Sequence, residues 1–278
     1  MNLMYCGDRN IQEGLTLSIL SLLRCTGEAL HIYVLTVQLN LDDRQIEAVS
    51  DETIRVLDKL VRARSQGSFV RKIDISQEFK RCLPTANLAT RFTPCCMLRL
   101  YSDLIPDLPD TVLYLDNDVL CRRDPSDFYH QALDGCEFVG VLDYYGSWFF
   151  RNRFWKRDYV NSGVMLLNLS QIRESGLFRK CRERCRDKQM FMPDQSALNK
   201  LAEAKRLAPR RYNEQRKLHS DTVFQHFTTS FRAYPPWIVS VKPWQIERVH
   251  EKLKLHEYDE LLQEYQQFQD TNARSVSP

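Results

Sequence analysis

The chemistry of this chain concentrates at Asp116-Asn117-Asp118, two carboxylates one residue apart at the end of the apolar run Val112-Leu113-Tyr114-Leu115. Carboxylates are hard oxygen ligands, and presented together they suit Mg2+ or Mn2+, above all where phosphate oxygens complete the shell. Alone, an Asp-x-Asp pattern is also what a solvated turn looks like, because Asp and Asn bond readily to nearby backbone. Here Asp116 abuts a fully apolar segment. At least one carboxylate therefore lies at the core boundary, where an unpaired charge is costly, and a cation should stand close by.

The elements that must position these carboxylates follow from the pattern around them. A continuous apolar run bounded by Pro109-Asp110 reads as a strand buried on both faces, the mark of a central strand in a parallel or mixed sheet. Ligands of open α/β sheets bind outside the carboxyl ends of such strands. Further strands are expected at 3–6, 29–36, 69–75, 138–143, 161–169 and 223–227. Helices are expected at 14–23, at 42–64 as two helices broken near Ser50-Asp51, at 94–104, after Pro193, and within 245–268, with residues 270–278 fraying. This alternation predicts βαβ units and a mixed, mostly parallel sheet flanked by helices. Several strands carry Asp or Asn at one end, as at Asp143 and Asn161-Ser162, which is how a cleft is built at a sheet edge.

With 278 residues, 43% hydrophobic and 27% charged, the chain can bury a sizeable core. A formal charge of +3 is too mild for a nucleic-acid partner, which calls for a concentrated basic face. No run reaches the apolar length of a membrane span, and Met1 to Asp8 lacks the regions of a signal peptide. The expected location is cytoplasmic, or peripheral at the inner face of a membrane. Nine scattered cysteines argue against a disulfide framework; Cys181 and Cys185 stand one helical turn apart, yet no second ligand pair has zinc-like spacing. They are expected to be reduced packing residues.

The ordered set Gly7-Asp8-Arg9-Asn10, Leu-Tyr-Leu-Asp116-Asn117-Asp118, Asn161-Ser162-Gly163, Pro193-Asp194-Gln195, His226-Phe227-Thr228 and Lys242-Pro243-Trp244 resembles glycosyltransferase family 8. That family includes bacterial lipooligosaccharide galactosyltransferases and glycogenin, and the resemblance covers almost the whole chain up to Trp244. It implies a nucleotide-sugar-binding α/β fold of the GT-A type over 1–244, with a helical extension at 245–278. The activity it implies is a retaining hexosyltransferase that takes galactose or glucose from a uridine-diphosphate (UDP) sugar to a glycan or lipid-linked saccharide.

Carried residue by residue, the resemblance implies Mn2+, with Mg2+ as the alternative, on Asp116, Asp118 and His226. Asp8, Asn10, Arg99, Asn117, Asn161, Ser162 and Lys242 would bind the donor, and Gln195, Asp194 and Asp143 would flank the reacting carbon. Plainer roles stay open. Asp8 and Asn10 can cap the following helix, Asp194-Gln195 can start one after Pro193, His226 can be a buried structural histidine, and Arg99 can hold a phosphate or neutralise the aspartates. A nucleotide-sugar-binding pseudoenzyme and a metal-dependent hydrolase are the competing functions.

Two segments depart from the family pattern. No glycine follows His226, and residues 229–241 intervene before Lys242. From Trp148 to Arg157, aromatics interleave with basic residues, a composition fit for stacking on sugars, a lid, a membrane contact or simple burial. Oligomeric state is left open.

Overall fold

The computed structural model describes residues 1–41, 44–89, 93–144, 158–232 and 237–276. The aromatic and basic stretch 148–157 and residues 233–236 lie outside them. The strands are β1 (Asn2–Cys6), β2 (His31–Thr36), β3 (Leu39–Leu41), β4 (Arg44–Ile46), β5 (Phe69–Asp74), β6 (Thr111–Leu115), β7 (Val119–Cys121), β8 (Phe138–Leu142), β9 (Val160–Asn168), β10 (Lys205–Leu207), β11 (Phe224–His226), β12 (Ser230–Arg232) and β13 (Trp237–Val239). Seven of them form one sheet in the order β10-β8-β9-β6-β1-β2-β5. Within it only β9 is reversed, running antiparallel to both β6 and β8.

The apolar runs are continuous because both faces of the sheet are covered. Leu3, Tyr5, Leu113 and Leu115 pack on one side with Leu15, Ile19 and Leu22 of the helix Gln12–Cys25 and with Leu57 and Val61 of the helix Asp51–Arg64. Met4, Val112 and Tyr114 alternate to the other side, against Met97 and Leu98 of the 3-10 helix Pro94–Leu104, Cys181 and Cys185 of the helix Leu177–Asp187, and Leu198 of the helix Pro193–Leu201. All nine cysteines are free thiols. Among the described residues no helix is long and apolar enough to cross a membrane.

Two expectations are corrected. Residues 44–50 are not helical: β4 pairs antiparallel with β3, and Leu39 and Ile46 enter the core while Asn40 and Gln45 face solvent. The helix starts only at Asp51, where the Ser50 hydroxyl accepts from Thr53 N at 3.1 Å, and Asp51 and Glu52 favour its positive end.

At the other end, the helices expected within 245–268 are present, and it is the fraying expected from 270 that is corrected. Ile246–Arg248 passes into a π-helical turn, Val249–Leu253, then Lys254 in the left-handed region at φ 56°. The helix Asp259–Val276 follows and runs past the point where fraying was expected. Its Leu261, Leu262 and Tyr265 join Leu17, Leu20, Leu120 and Phe227 in a third apolar cluster.

Candidate active site

The reversal of β9 builds the site. Because β9 runs against its neighbours, its first residues lie beside the last residues of β6 and β8, with Asn161 opposite Val141 and Val164 opposite Leu115. Asp116 N donates to Gly163 O at 2.8 Å, and Asp143 N to Tyr159 O at 2.8 Å. Thus Asp116, Asp143, Asn161 and Ser162 meet at one edge. Gly163 lets the next layer close: a Cβ there would stand 2.1 Å from His226 Cε1 and 2.9 Å from Asp116 Oδ2.

Asp118 and His226 are paired through a small antiparallel ladder in which β11 lies on β7, His226 opposite Val119. Asp116, Asp118 and His226 offer ligand atoms that all lie within 4.8 Å of one another. His226 Nε2 is 3.2 Å from Asp118 Oδ1 and 3.7 Å from Asp116 Oδ2.

The tautomer of His226 follows from its other nitrogen, Nδ1, which is 3.2 Å from Asn161 Oδ1. That oxygen is identified by its partners, since it accepts from Gly163 N at 3.0 Å while Asn161 Nδ2 donates to Asp143 Oδ2 at 3.0 Å. Nδ1 must therefore carry the hydrogen. Nε2 is then the nitrogen that faces the aspartates, the orientation a metal-binding imidazole needs.

Lys242 Nζ donates to Asp118 Oδ2. Burial pushes the Asp118 carboxyl up, but Lys242 and His226 outweigh it and hold the group below the usual carboxylate range. Burial opposes charge on His226 too, and Asp118 reverses that, raising its pKa.

Arg99 is the cation expected beside Asp116. Only 3% exposed, it sits above the Tyr114 ring at 4.1 Å and uses all three nitrogens. Nη2 donates to Asp116 Oδ1 at 2.9 Å, Nη1 to Ser162 O at 2.5 Å and Nε to Cys96 O at 3.0 Å, with Asp194 Oδ2 3.3 Å from Nε. Of its two open roles, neutralising the aspartates is the one these contacts support. Asp194 is buried, which lifts its carboxyl above the ordinary value against the pull of Arg99.

Gln195, in the first turn of its helix, accepts from Ser162 N at 3.0 Å and donates to Asp143 Oδ2 at 2.9 Å. Asp143, Asn161, Ser162, Asp194 and Gln195 thus form one connected buried polar network. At the end of β1, Asp8 is 8% exposed and its Oδ1 accepts from Asn10 N at 2.9 Å, the capping arrangement; Asn10 itself is exposed. Asn117 packs its backbone on Gly14, where a Cβ would lie 2.4 Å from Asn117 O and 2.6 Å from the Trp244 ring.

One participant carried no signal in the sequence. Asn213 is 1% exposed, donates through Nδ2 to Asn161 Oδ1 at 3.0 Å, and leaves its own Oδ1 buried without a hydrogen-bond partner. It stands in no motif and is brought in only by the tertiary fold.

A family model described as glycosyl transferase family 8 matches residues 2–247. Lipopolysaccharide 1,2-glucosyltransferase of Escherichia coli (strain K12) is 25% identical over 277 aligned positions, covering 88% of this chain and 77% of that one. Glucoside xylosyltransferase 1 of Gallus gallus is 32% identical over 93 residues, 30% of this chain and 21% of its own length. Among solved structures, an active-site mutant of LgtC superposes with a TM-score of 0.68 at 18% identity, covering 98% of this chain and 96% of that one. The galactosyltransferase LgtC in complex with donor and acceptor sugar analogs gives a TM-score of 0.67 at 19% identity, covering 95% and 96%.

Proposed function

Because this chain belongs to glycosyl transferase family 8 and has the GT-A fold, we propose that it moves galactose or glucose from a UDP-sugar to a hydroxyl of a glycan or lipid-linked saccharide, with retention at the anomeric carbon. The observation that carries this reading is the convergence of Asp116, Asp118 and His226 at the end of β6, next to the buried network around Asp143 and Gln195.

The donor set fits a divalent cation: two carboxylate side chains and one imidazole whose Nε2 faces them, with the rest of the shell left to phosphate oxygens. The nitrogen ligand favours Mn2+ over Mg2+. Bound there, such an ion neutralises charge on the departing diphosphate.

The remaining work falls to the chain's own groups. Lys242, beside Asp118, adds positive charge on the diphosphate side. Arg99 holds Asp116 and Asp194 in place. Asp143, Asn161, Ser162 and Asp194 offer hydrogen-bond partners for hexose hydroxyls, which is where sugar selectivity arises.

Gln195 is an amide and a poor nucleophile, and its two bonds hold it as a positioning group. We favour attack by the acceptor hydroxyl on the face the diphosphate leaves, the leaving phosphate taking the hydroxyl proton. A double displacement would use Asp143, whose Oδ2 is oriented by two amide donors.

The test is release of UDP from a panel of UDP-hexoses with Mn2+, with and without acceptor glycans. Transfer requires release that rises with acceptor; release indifferent to acceptor is hydrolysis, and no binding of any UDP-hexose overturns the reading. Asp118→Ala is expected to abolish metal-dependent UDP binding with the fold intact by circular dichroism, and unchanged binding removes Asp118 from the site.

A further inference from the structure

A cavity of about 270 Å3 opens where segment 215–218, β11 with Phe227-Thr228, and the turn 253–255 meet. It touches the site at two points. His226 forms part of its wall, and Gln215 is tied to the sugar side, accepting from Tyr144 N at 3.0 Å and donating to Leu142 O at 3.2 Å on either side of Asp143. The cavity therefore borders the candidate site on the side of His226 and Asp143.

The wall carries Arg216, Lys217 and Lys254 against one carboxylate, Glu257. Arg216 is held in place by Tyr144, donating to its hydroxyl with the guanidinium 4.9 Å from the ring centroid. The ammonium groups of Lys217 and Lys254 make no ion pair among the described residues. In a chain whose whole formal charge is +3, this is a local concentration of positive charge around a concavity, which focuses the field on an anion.

The backbone is an independent observation. Lys254, at φ 56°, is the one non-glycine residue in the left-handed region among the described residues, and it directly follows the π-helical turn. Such a conformation persists only where the surroundings enforce it, and it gathers at ligand clamps. Glycine or asparagine would take this turn with less strain, and the cap fixes Lys254 at the cavity wall.

Resting on the transfer reading above, we infer that the acceptor is an anionic saccharide. Its phosphate or carboxylate is held by Arg216, Lys217 and Lys254 while its accepting hydroxyl faces the Asp143 side. The same cations would hold free phosphate, so the test separates the sources.

Using the full chain with Mn2+ and UDP, affinities are measured for glucose, glucose 6-phosphate, glucuronate and inorganic phosphate. At least one anionic sugar is expected to bind about tenfold or more tightly than glucose and than phosphate, a charge-assisted contact of ordinary size. The exposed double variant Lys217→Glu/Lys254→Glu is expected to remove that preference. Equal binding of neutral and anionic sugars overturns the inference. So does a preference that survives the double variant, and so does phosphate alone matching the sugar phosphate. UDP titrated first into the same sample tests the donor reading separately, and its failure is distinct from a failure of anion preference.

Discussion

Arg99 and Asn213 are two buried side chains that brace the candidate site in different ways. Arg99 holds two backbone carbonyls and two carboxylates in one planar fork that a lysine ammonium cannot reproduce. Arg99→Lys is expected to cost about 3 kcal/mol in urea unfolding, the scale for breaking a buried charge network; a loss below 1 kcal/mol would mean the fork is dispensable. Asn213 acts at one remove from His226 through Asn161 Oδ1. Asn213→Ala is expected to weaken Mn2+ binding about tenfold, as loss of an outer partner of a ligand does, with UDP affinity at saturating metal little changed. Metal affinity unmoved in calorimetry removes the residue from that role. The need for a cation beside Asp116 was legible from the apolar run alone, because burying a carboxylate demands one. Asn213 was not, since nothing local distinguishes a buried asparagine from one in a loop.

At the scale of elements, the site depends on where β9 begins. Gly163→Ala puts a carbon into the imidazole of His226. We expect it to abolish metal-dependent UDP binding while far-ultraviolet circular dichroism stays unchanged, and retained binding would show that His226 can shift without loss. The outer edge of the sheet is held by Glu137, 2% exposed, which accepts from Ser175 Oγ at 2.6 Å, Glu203 N at 2.9 Å and Ala204 N at 3.1 Å, so joining β8, β10 and the helix Leu169–Ser175. Glu137→Ala leaves two backbone donors without their partner and is expected to destabilise by about 2 to 3 kcal/mol in urea. Strands whose apolar residues run unbroken could be read directly. The pairing of β3 and β4 could not, because Leu39 and Ile46 in so short a segment fit either period. The reversal of β9 was equally hidden: an antiparallel strand buried on both faces has the same composition as its parallel neighbours.

Across the whole molecule, Val249, Tyr258, Leu261, Leu262 and Tyr265 pack into the third apolar cluster. Tyr258 packs beside Phe227, its hydroxyl donates to Gln225 Oε1 at 2.5 Å, and Arg122 lies 5.5 Å from its ring centroid. It thereby steadies the strand that carries His226. Tyr258→Ala is expected to cost about 3 to 5 kcal/mol, measured by urea unfolding, and to lower Mn2+ affinity in the protein that remains folded. A loss confined to stability would separate the extension from the site. The order of motifs disclosed the family and fold because those segments mark strand ends. Where the segments meet depends on contacts between residues far apart in sequence, 65 positions for His226 and Asn161 and 124 for Lys242 and Asp118.

The pairing of Asp118 with Lys242 has a consequence for how this protein is made. A ribosome delivers the chain from its N-terminus, so Asp116 emerges with Arg99 already present, whereas Asp118 waits 124 residues for its lysine. Through that interval the nascent strand end carries a carboxylate that cannot be buried without its counter-charge. Closure of this edge of the sheet is therefore deferred until Lys242 has emerged. Chains stalled before residue 226 should hold the first βαβ units and yet present an open, acidic rim.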